Sequence, residues 1–317
     1  MQKKFLVKSH EASLVQFGKY PGARTIEELL HNGIVVIDKP AGPTSRMVDS
    51  FVKKILGVNK LSHGGTLDPR VSGVLVIALE NATKLMPILL SSKKEYVALM
   101  NIHKELPEQK IRKVCEEFVG KIMQTPPKKS AVARRERQRE IYYLQILEIS
   151  GRDVLMRVGC EAGTYIRKLC SDIGKKLGTE AHMQELRRTR AGVFTEEQSV
   201  SLQDLKDAYE FWKSGNEEPL RSIILPMERA ADNIKSIVVK DSAIHNIASG
   251  APVYSNGISR IEESIERGKI VGIFSLKGEL VAIGFAQTDS GQMLKSAKGV
   301  AIRTDRVLID RNLYPKV

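Results

Sequence analysis

One aspartate in the sequence stands in a setting that can hold a carboxylate at a fixed angle. Residues 62–75 read SHGGTLDPRVSGVL and contain Asp68. Gly64 and Gly65 allow backbone conformations that other residues avoid, and the proline after Asp68 biases the aspartate towards an extended conformation. The apolar run at 74–79 has the length and β-branched content of a buried strand. The pattern predicts a stiff loop that presents one acidic group beside a core strand, with a simple Asp-Pro turn as the alternative.

The string around Asp68 resembles the aspartate motif of the TruB family of pseudouridine synthases, which reads G-G/S-T-L-D-P-x-V-x-G-V-L. Within that family it is most similar to the dyskerin-type members of H/ACA ribonucleoproteins. Three other segments resemble further motifs of the family and occur in the family's order: KPAGPTS, CEAGTYIRKLCSDIG and AHMQELRRTR. The resemblance therefore covers residues 33–190. The first of these departs from the family pattern, because Arg46 and Met47 stand where His-Glu is usual. No role is assigned there.

The resemblance implies a reaction on RNA. Pseudouridine formation breaks the N-glycosidic bond of a uridine, rotates the base and rejoins it to the sugar through carbon. Such an enzyme must extract the base from its stack and place a carboxylate beside the ribose. The resemblance implies that Asp68 acts at the ribose, either by attacking the anomeric carbon or by removing a sugar proton. It implies no metal and no organic cofactor.

Two further residues are implied as catalytic. Tyr96 matches the family tyrosine that stacks on the target base, and Arg167 matches the arginine that pairs with the aspartate. A nearby cation favours the ionised form of a carboxyl, and a planar guanidinium can grip both of its oxygens. The alternatives are a strand tyrosine that only packs and a helix-surface arginine in a weak solvent-exposed pair.

Three residues are implied in substrate binding. Tyr165 would line the pocket, Leu186 would pack under the bound base, and His63 would help to displace the base. For His63 the alternative is a loop histidine that only makes hydrogen bonds. The periodicity predicts a helix over 164–177. Because residues two apart do not share a helix face, Tyr165 and Arg167 can both face one site only at the junction of strand and helix.

The charge balance points to a polyanion. Lys and Arg total 50 against 37 Asp and Glu, which gives a net charge of +13 and an isoelectric point near 9.5. In a protein this basic, nucleic acid is the usual partner. The window 124–142 resembles the mobile segment that closes over RNA in this family, although a charge run is often only solvated. Its basic residues are Lys128, Lys129, Arg134, Arg135, Arg137 and Arg139. Further RNA contacts are expected from Arg187, Arg188, Gly250 and Ala251.

The pattern changes along the chain from mixed helix and strand signals to short strands. After residue 237, glycine turns separate short apolar runs, which is typical of a compact β-barrel. SGAPVYSNGI followed by GKIVGIFSLKGELVAIGFA resembles a PUA domain, with another small barrel of the OB or SH3 kind as the alternative. We therefore predict an α+β fold. It would have an N-terminal extension at 1–32, a catalytic domain with a mixed or antiparallel sheet at 33–228, and a PUA RNA-binding β-barrel at 229–317.

Several classes of protein are disfavoured. The cysteines at 115, 160 and 170 form no CxxC pair or zinc spacing, so we expect buried free thiols in a reducing compartment. The first thirty residues lack a signal-peptide core, and no apolar run approaches the roughly 20 residues that a bilayer crossing needs. No membrane association is expected. The lysine-rich tails of eukaryotic members are absent, which favours an archaeal-type cytoplasmic protein.

The expected function is RNA-guided conversion of uridine to pseudouridine in rRNA or tRNA, as the catalytic subunit of an H/ACA ribonucleoprotein. The long N-terminal extension, the full C-terminal module and the short basic loop favour this form. Its partners would be a guide RNA, the substrate RNA and small H/ACA core proteins. The alternatives are a stand-alone synthase that modifies the TΨC arm of tRNA and a non-catalytic RNA-binding scaffold.

Overall fold

The computed structural model of the chain describes residues 3–126 and 135–316. The strands within these ranges are β1 (Phe5–Val7), β2 (Gly33–Lys39), β3 (Leu61–His63), β4 (Ser72–Leu79), β5 (Lys94–Ile102), β6 (Gly120–Gln124), β7 (Arg137–Ser150), β8 (Asp153–Cys160), β9 (Ala181–Ala191), β10 (Phe194–Thr195), β11 (Leu225–Pro226), β12 (Lys235–Val239), β13 (Val253–Tyr254), β14 (Ile258–Glu262), β15 (Ile270–Phe274), β16 (Leu280–Ala286) and β17 (Val300–Val307). The α-helices there are α1 (Ile26–Asn32), α2 (Ser45–Leu56), α3 (Met86–Ser91), α4 (Glu108–Glu116), α5 (Ile166–Leu177), α6 (Leu202–Lys213), α7 (Glu218–Ile223), α8 (Asp241–Ala248) and α9 (Ser290–Lys295). Short 3-10 helices lie at Pro21–Ala23, Glu80–Leu85, Glu196–Gln198, Met227–Ala231, Ser255–Gly257 and Arg311–Leu313.

The larger sheet carries the motifs around Asp68. Its strand order is β11-β2-β4-β9-β5-β8-β7-β6, with β3 also paired to β4 and β10 to β9. These pairs are antiparallel except for β4 and β9, which run parallel where Ser72 and Gly73 lie opposite Arg187 and Arg188. The mixed sheet confirms the predicted fold class. The parallel contact brings the chain that follows the Asp68 loop beside the AHMQELRRTR segment.

Helix α5 packs on this sheet through the residues that the periodicity singled out. Ile166, Leu169, Cys170, Ile173 and Leu177 are buried at helical spacing. An added Cβ at Gly174 would lie only 2.4 Å from the backbone nitrogen of Ala181. The glycine therefore lets α5 approach the start of β9 closely. This packing fixes the first turn of α5, where Arg167 lies.

The smaller sheet belongs to the C-terminal part of the chain and takes one strand from the N-terminal part. Its order is β1-β14-β12-β15-β16-β17-β13. Strand β1 pairs antiparallel with β14, so that Phe5 lies opposite Glu262 and Val7 opposite Arg260. The N-terminal extension therefore adds an edge strand to the C-terminal module.

A buried ion pair joins the two sheets and the N-terminal extension. Arg24 donates two hydrogen bonds of 2.8 Å to the carboxylate of Glu228, and both residues are buried. Glu228 also accepts a 3.0 Å hydrogen bond from the backbone nitrogen of Leu280 in β16. A bidentate pair that is also hydrogen-bonded satisfies both desolvated charges.

Two sequence expectations concern cysteine and membranes. The three cysteines are free and buried, as predicted, and burial raises the pKa of each thiol to about 12. Within the described part of the chain, no helix combines the length and the apolar character that crossing a membrane requires.

Candidate active site

The loop that carries Asp68 is anchored by the residues on either side of it. Leu67 and Val71 are each 3 % exposed and belong to the same core cluster as α5. Between them the side chain of Asp68 is 55 % exposed. Two apolar anchors thus hold an exposed carboxylate in place, and the apolar run after it forms β4 as predicted.

A buried lysine supports the loop from below. Lys39, at the end of β2, is 0 % exposed. Its Nζ donates hydrogen bonds to the carbonyl oxygens of Pro40 at 2.8 Å, Pro69 at 3.1 Å and Val71 at 2.8 Å. The sequence pattern alone assigns no role to KPAGPTS, so Lys39 is a residue that sequence reasoning missed. The sequence did contain a signal for Lys39, because a lysine stands at the end of an apolar run that reads as a strand.

Ser45 anchors the loop on the N-terminal side of Asp68. Ser45 is 1 % exposed, and its Oγ accepts a 2.9 Å hydrogen bond from Leu67 N and donates to Leu67 O at 3.1 Å. The residue before Asp68 is therefore fixed by Ser45 and the residues after it by Lys39. A loop held in this way keeps its carboxylate in one position.

The guanidinium of Arg167 meets the carboxylate of Asp68. Its NH2 group donates to Oδ2, and the two side chains are 52 % and 55 % exposed. Helix α5 begins at Ile166, two residues after the predicted start, with Tyr165 as its N-cap residue. Tyr165 and Arg167 therefore lie at the junction that the spacing argument required.

Tyr96 lies in the core cluster that contains Leu67 and Val71, the buried residues on either side of Asp68. It is 9 % exposed and lies opposite Arg188 in the pairing of β5 with β9. Burial raises the pKa of Tyr96, the charge of Asp68 raises it further, and Arg188 acts in the opposite direction. The phenol is close enough to respond to both Asp68 and Arg188. The structure thus brings Asp68 and Arg167 into contact and places Tyr96 in the core cluster that anchors the Asp68 loop, and the catalytic roles of the three stay predictions.

The position of Arg188 corrects one prediction. Arg188 is 1 % exposed, donates from Nε to Val74 O at 2.7 Å and from NH2 to Gly65 O at 2.9 Å. It was expected to contact RNA phosphates, but its guanidinium is enclosed beneath the Asp68 loop. Arg188 ties the loop to β4 instead of presenting its charge at the surface.

A second buried lysine lies next to Arg188. Lys94 is 6 % exposed and donates to Leu89 O at 3.1 Å and to Ser92 O at 2.6 Å. Burial, and then the charge of Arg188, lower the pKa of Lys94 to about 7. Burial, and then Arg188, also lower the pKa of Lys39, while Asp68 raises it. The buried side chains of Lys39 and Arg188 thus lie beneath the loop, and positive charge there favours an anion above it.

Arg187 is engaged by two carboxylates. It donates to both oxygens of Asp38, at 2.9 and 3.1 Å, and its Nε donates to Glu196. The hydrogen bond with Asp38 raises the pKa of Arg187. A phosphate would have to displace one of these carboxylates, so the RNA contact of Arg187 stays a prediction.

The predicted substrate-binding residues lie around the same site. Leu186 is partly buried against the core cluster that contains Leu67 and Tyr96. The ring nitrogens of His63 lie 2.6 Å from Asp49 Oδ2 and 3.0 Å from Thr66 Oγ1. Since both nitrogens have partners, the geometry of His63 is that of a loop histidine that makes hydrogen bonds. Its part in displacing the base stays a prediction.

The other predicted RNA contacts are spread over the chain. Lys128, Lys129 and Arg134 lie outside the described residues, and Arg135 is exposed. Gly250 is exposed in the turn after α8 with φ +92°, and Ala251 accepts a 2.7 Å hydrogen bond from Thr304. Nothing would contact a Cβ at Gly250 within 4 Å, so its backbone is accessible to a partner.

The fold and this site define an enzyme of the pseudouridine synthase class. The TruB family pseudouridylate synthase N-terminal domain matches residues 53–166, and the tRNA pseudouridylate synthase B C-terminal domain matches 167–232. A PUA domain matches 235–308 and a DKCLD domain matches 1–48. The chain belongs to the TruB family of pseudouridine synthases. The resemblances to this family and to the PUA domain are therefore confirmed.

Relatives match over the whole chain. A protein named "Probable tRNA pseudouridine synthase B" from Methanopyrus kandleri is 51 % identical over 99 % of this chain and 93 % of its own length. Among solved structures, one of a Cbf5-Nop10-Gar1 complex matches with a TM-score of 0.96 at 48 % identity, covering 100 % of this chain and 97 % of that one. Another, of an H/ACA RNP bound to a substrate RNA containing 2'-deoxyuridine, matches with a TM-score of 0.94 at 46 % identity, covering 100 % and 98 %.

Proposed function

We propose that this protein converts uridine to pseudouridine in rRNA or tRNA under the direction of a guide RNA, as the catalytic subunit of an H/ACA ribonucleoprotein. The observation that carries the catalytic part is the contact of Arg167 with an exposed Asp68 on an anchored loop. The similarity to chains from H/ACA complexes, over the full length of both, supports the guided form.

In the proposed mechanism, Asp68 acts at the ribose of an extruded uridine. The carboxylate is acceptor-only when ionised, and it either attacks the anomeric carbon or removes a sugar proton. Arg167 holds it by charge-assisted hydrogen bonding and thereby sets the direction of its free oxygen. Leu67 and Val71, which are buried on either side of Asp68, hold its carboxylate in position when the RNA binds.

Tyr96, Tyr165 and Leu186 form the surroundings of the base in this proposal. An extruded base loses its stacking and needs an aromatic or apolar surface in its place. Tyr96 supplies a ring that is close enough to Asp68 to respond to its charge. Leu186 packs from the core below, and Tyr165 closes the side where α5 begins.

The partners follow from the same proposal. The C-terminal module, with Gly250 and Ala251, holds the guide RNA, while the basic window around Arg135 holds the substrate strand. Small core proteins of the kind named in the similar structures, Nop10 and Gar1, complete the particle. The predicted division into an extension at 1–32, a catalytic domain at 33–228 and an RNA-binding domain at 229–317 is retained. A reducing, cytoplasmic location fits the buried free thiols.

The second candidate is a stand-alone synthase that modifies tRNA without a guide. The name of the relative from Methanopyrus kandleri, which refers to tRNA, favours it. The purified protein, with and without guide RNA and accessory proteins, should be incubated with tRNA and with a guide-matched RNA. Turnover of the guide-matched uridine only when the guide is added supports the guided form. Turnover on tRNA alone supports the stand-alone form, and a lack of turnover under every condition would leave a binding scaffold.

A further inference from the structure

A buried glutamine at the end of β6 holds the backbone of Tyr165. Gln124 is 2 % exposed. Its Nε2 donates to the carbonyl oxygen of Tyr165 at 3.2 Å, and its Oε1 accepts from the backbone nitrogen of Tyr165 at 3.0 Å. One side-chain amide therefore satisfies both backbone groups of a single residue 41 positions away in the sequence.

Tyr165 is the N-cap residue of α5, directly before the first residue of the helix. Its carbonyl oxygen also accepts the first helical hydrogen bond, from Leu169 N at 3.0 Å. Fixing both its N–H and its C=O fixes its φ and ψ, and these angles set the direction in which the first turn leaves the preceding segment. Arg167, two residues later in that turn, reaches the carboxylate of Asp68.

A second tie from the neighbouring strand acts on the same segment. In β7, which pairs with β6, Arg139 donates from Nε to Gly163 O at 3.2 Å. A cavity of about 130 Å³ lies between the strands and this segment, and it is lined by Gln124, Pro126, Arg137, Arg139, Gly163 and Tyr165. The approach to α5 is thus held from both β6 and β7.

We propose that Gln124 is a positioning residue for the reaction. It sets the angle of Arg167 over Asp68 through the backbone of Tyr165, and it touches neither the substrate nor the reacting atoms. This inference rests on the proposed function, because its effect on turnover requires that Asp68 and Arg167 act together. A positioning role differs from a merely structural one in its effect on the reaction. Loss of Gln124 should slow the reaction without weakening RNA binding.

The first test compares Gln124→Met with the matched control Gln145→Met, which changes an exposed glutamine of β7. Methionine keeps the length of the side chain and removes both hydrogen bonds. We expect kcat to fall by about 10- to 100-fold in Gln124→Met, as for other small displacements of catalytic groups. The KM for RNA should stay within about 3-fold of wild type. The control should match wild type in both constants. A wild-type kcat, or a loss confined to KM, would overturn the proposal.

The second test uses Gln124→Glu, since a protonated carboxyl accepts and donates like the amide. An ionised carboxylate can only accept, and it faces the carbonyl of Tyr165. Burial of this position and Glu161, 3.7 Å from Arg139, oppose ionisation, while Arg137 and Arg139, which line the same cavity, favour it. The ratio of variant to wild-type kcat should therefore rise as pH falls from 8 to 5. A ratio of about 1 over the whole range contradicts the proposal, and recovery at low pH shows that the variant folds.

A third measurement does not depend on turnover. Amide hydrogen exchange of Tyr165 reports its bond to Gln124 directly. Exchange should be faster in Gln124→Met than in wild type and unchanged in Gln145→Met. If the wild-type protein fails to turn over any RNA, the proposed function fails, and this exchange experiment still decides the structural step. Equal protection in Gln124→Met and wild type would overturn it.

Discussion

Arg167 and Asp68 lie 99 residues apart in the sequence, and their side chains meet at the surface of the folded chain. Each is about half exposed, so the contact by itself contributes little to stability. Its neighbours are of a different kind, since Lys39, Ser45 and Arg188 are buried beneath it. A weak, exposed ion pair that sits on a loop held by buried residues leaves the carboxylate of Asp68 accessible to a ligand.

Replacing Arg167 should slow the reaction more than it destabilises the fold. Arg167→Lys keeps the charge but loses the planar fork that fits a carboxylate. We expect kcat to fall by roughly 10²-fold, with a change in unfolding free energy within about 0.5 kcal/mol. Single-turnover kinetics and urea unfolding measure the two quantities. Unchanged turnover in Arg167→Lys would show that the fork geometry is not needed.

Lys39 should be a stability residue as well as a support for the loop. In Lys39→Met, the carbonyl oxygens of Pro40 and Val71 lose their donor, while Pro69 O keeps its 2.8 Å hydrogen bond from Gly42 N. Leaving buried acceptors unsatisfied costs about 1–3 kcal/mol for each group. We expect the unfolding free energy to fall by at least about 1 kcal/mol. Lys53→Met, at an exposed position of α2, is the control and should match wild type. Equal stability of the two variants would remove the anchoring role from Lys39.

Lys94 should make stability depend on pH in the alkaline range. Its pKa falls from 10.5 in the unfolded chain to about 7 in the folded protein. Between these values the unfolded chain binds more protons, so its protonation opposes folding, and stability should rise with pH from about 7 to about 10. Lys94→Met should show a smaller rise. Chemical unfolding at several pH values gives the comparison, and parallel curves for variant and wild type would contradict the low pKa.

The basic window should contribute to RNA affinity through phosphates. Changing Arg134 and Arg135 together to alanine should weaken binding and reduce the salt slope by about 0.7–0.9 for each lost phosphate contact. Arg112→Ala is the control, because Arg112 pairs with Glu108 on α4. Affinities at several salt concentrations give the slopes. A slope equal to that of wild type would count against phosphate contacts at these two positions.

Local patterns were sufficient for the elements that carry the site. The β-branched run before Lys39, the helical spacing in α5 and the glycine after it predict the strands and helices that the structure contains. Each of these elements follows from contacts between near neighbours in the sequence. The spacing of Tyr165 and Arg167 also predicted that they lie where α5 begins. Residues two apart inside a helix cannot both face one site.

Which arginine faces inward could not be read from the sequence. Arg187 and Arg188 are adjacent, and the faces of a strand alternate. Strand β9 contains a register shift opposite Glu95 and Tyr96, so the inward position depends on its pairing with β5 and β4. A bulge of this kind changes which face the following residues take, here as far as the second register shift, at Leu99 and Met100. The pairing of β1 with β14 was out of reach for a similar reason, since it joins Phe5–Val7 to a strand of the C-terminal module that is distant in the sequence.

The most direct test of the central claim is Asp68→Asn, assayed with guide and substrate RNA. Asparagine keeps the shape of the side chain and removes its charge, so the anchored loop and the RNA-binding surfaces stay intact. We expect RNA to bind within about 3-fold of the wild-type affinity while no pseudouridine forms, because the nucleophile or base is gone. Pseudouridine formation at the wild-type rate by this variant would contradict the account.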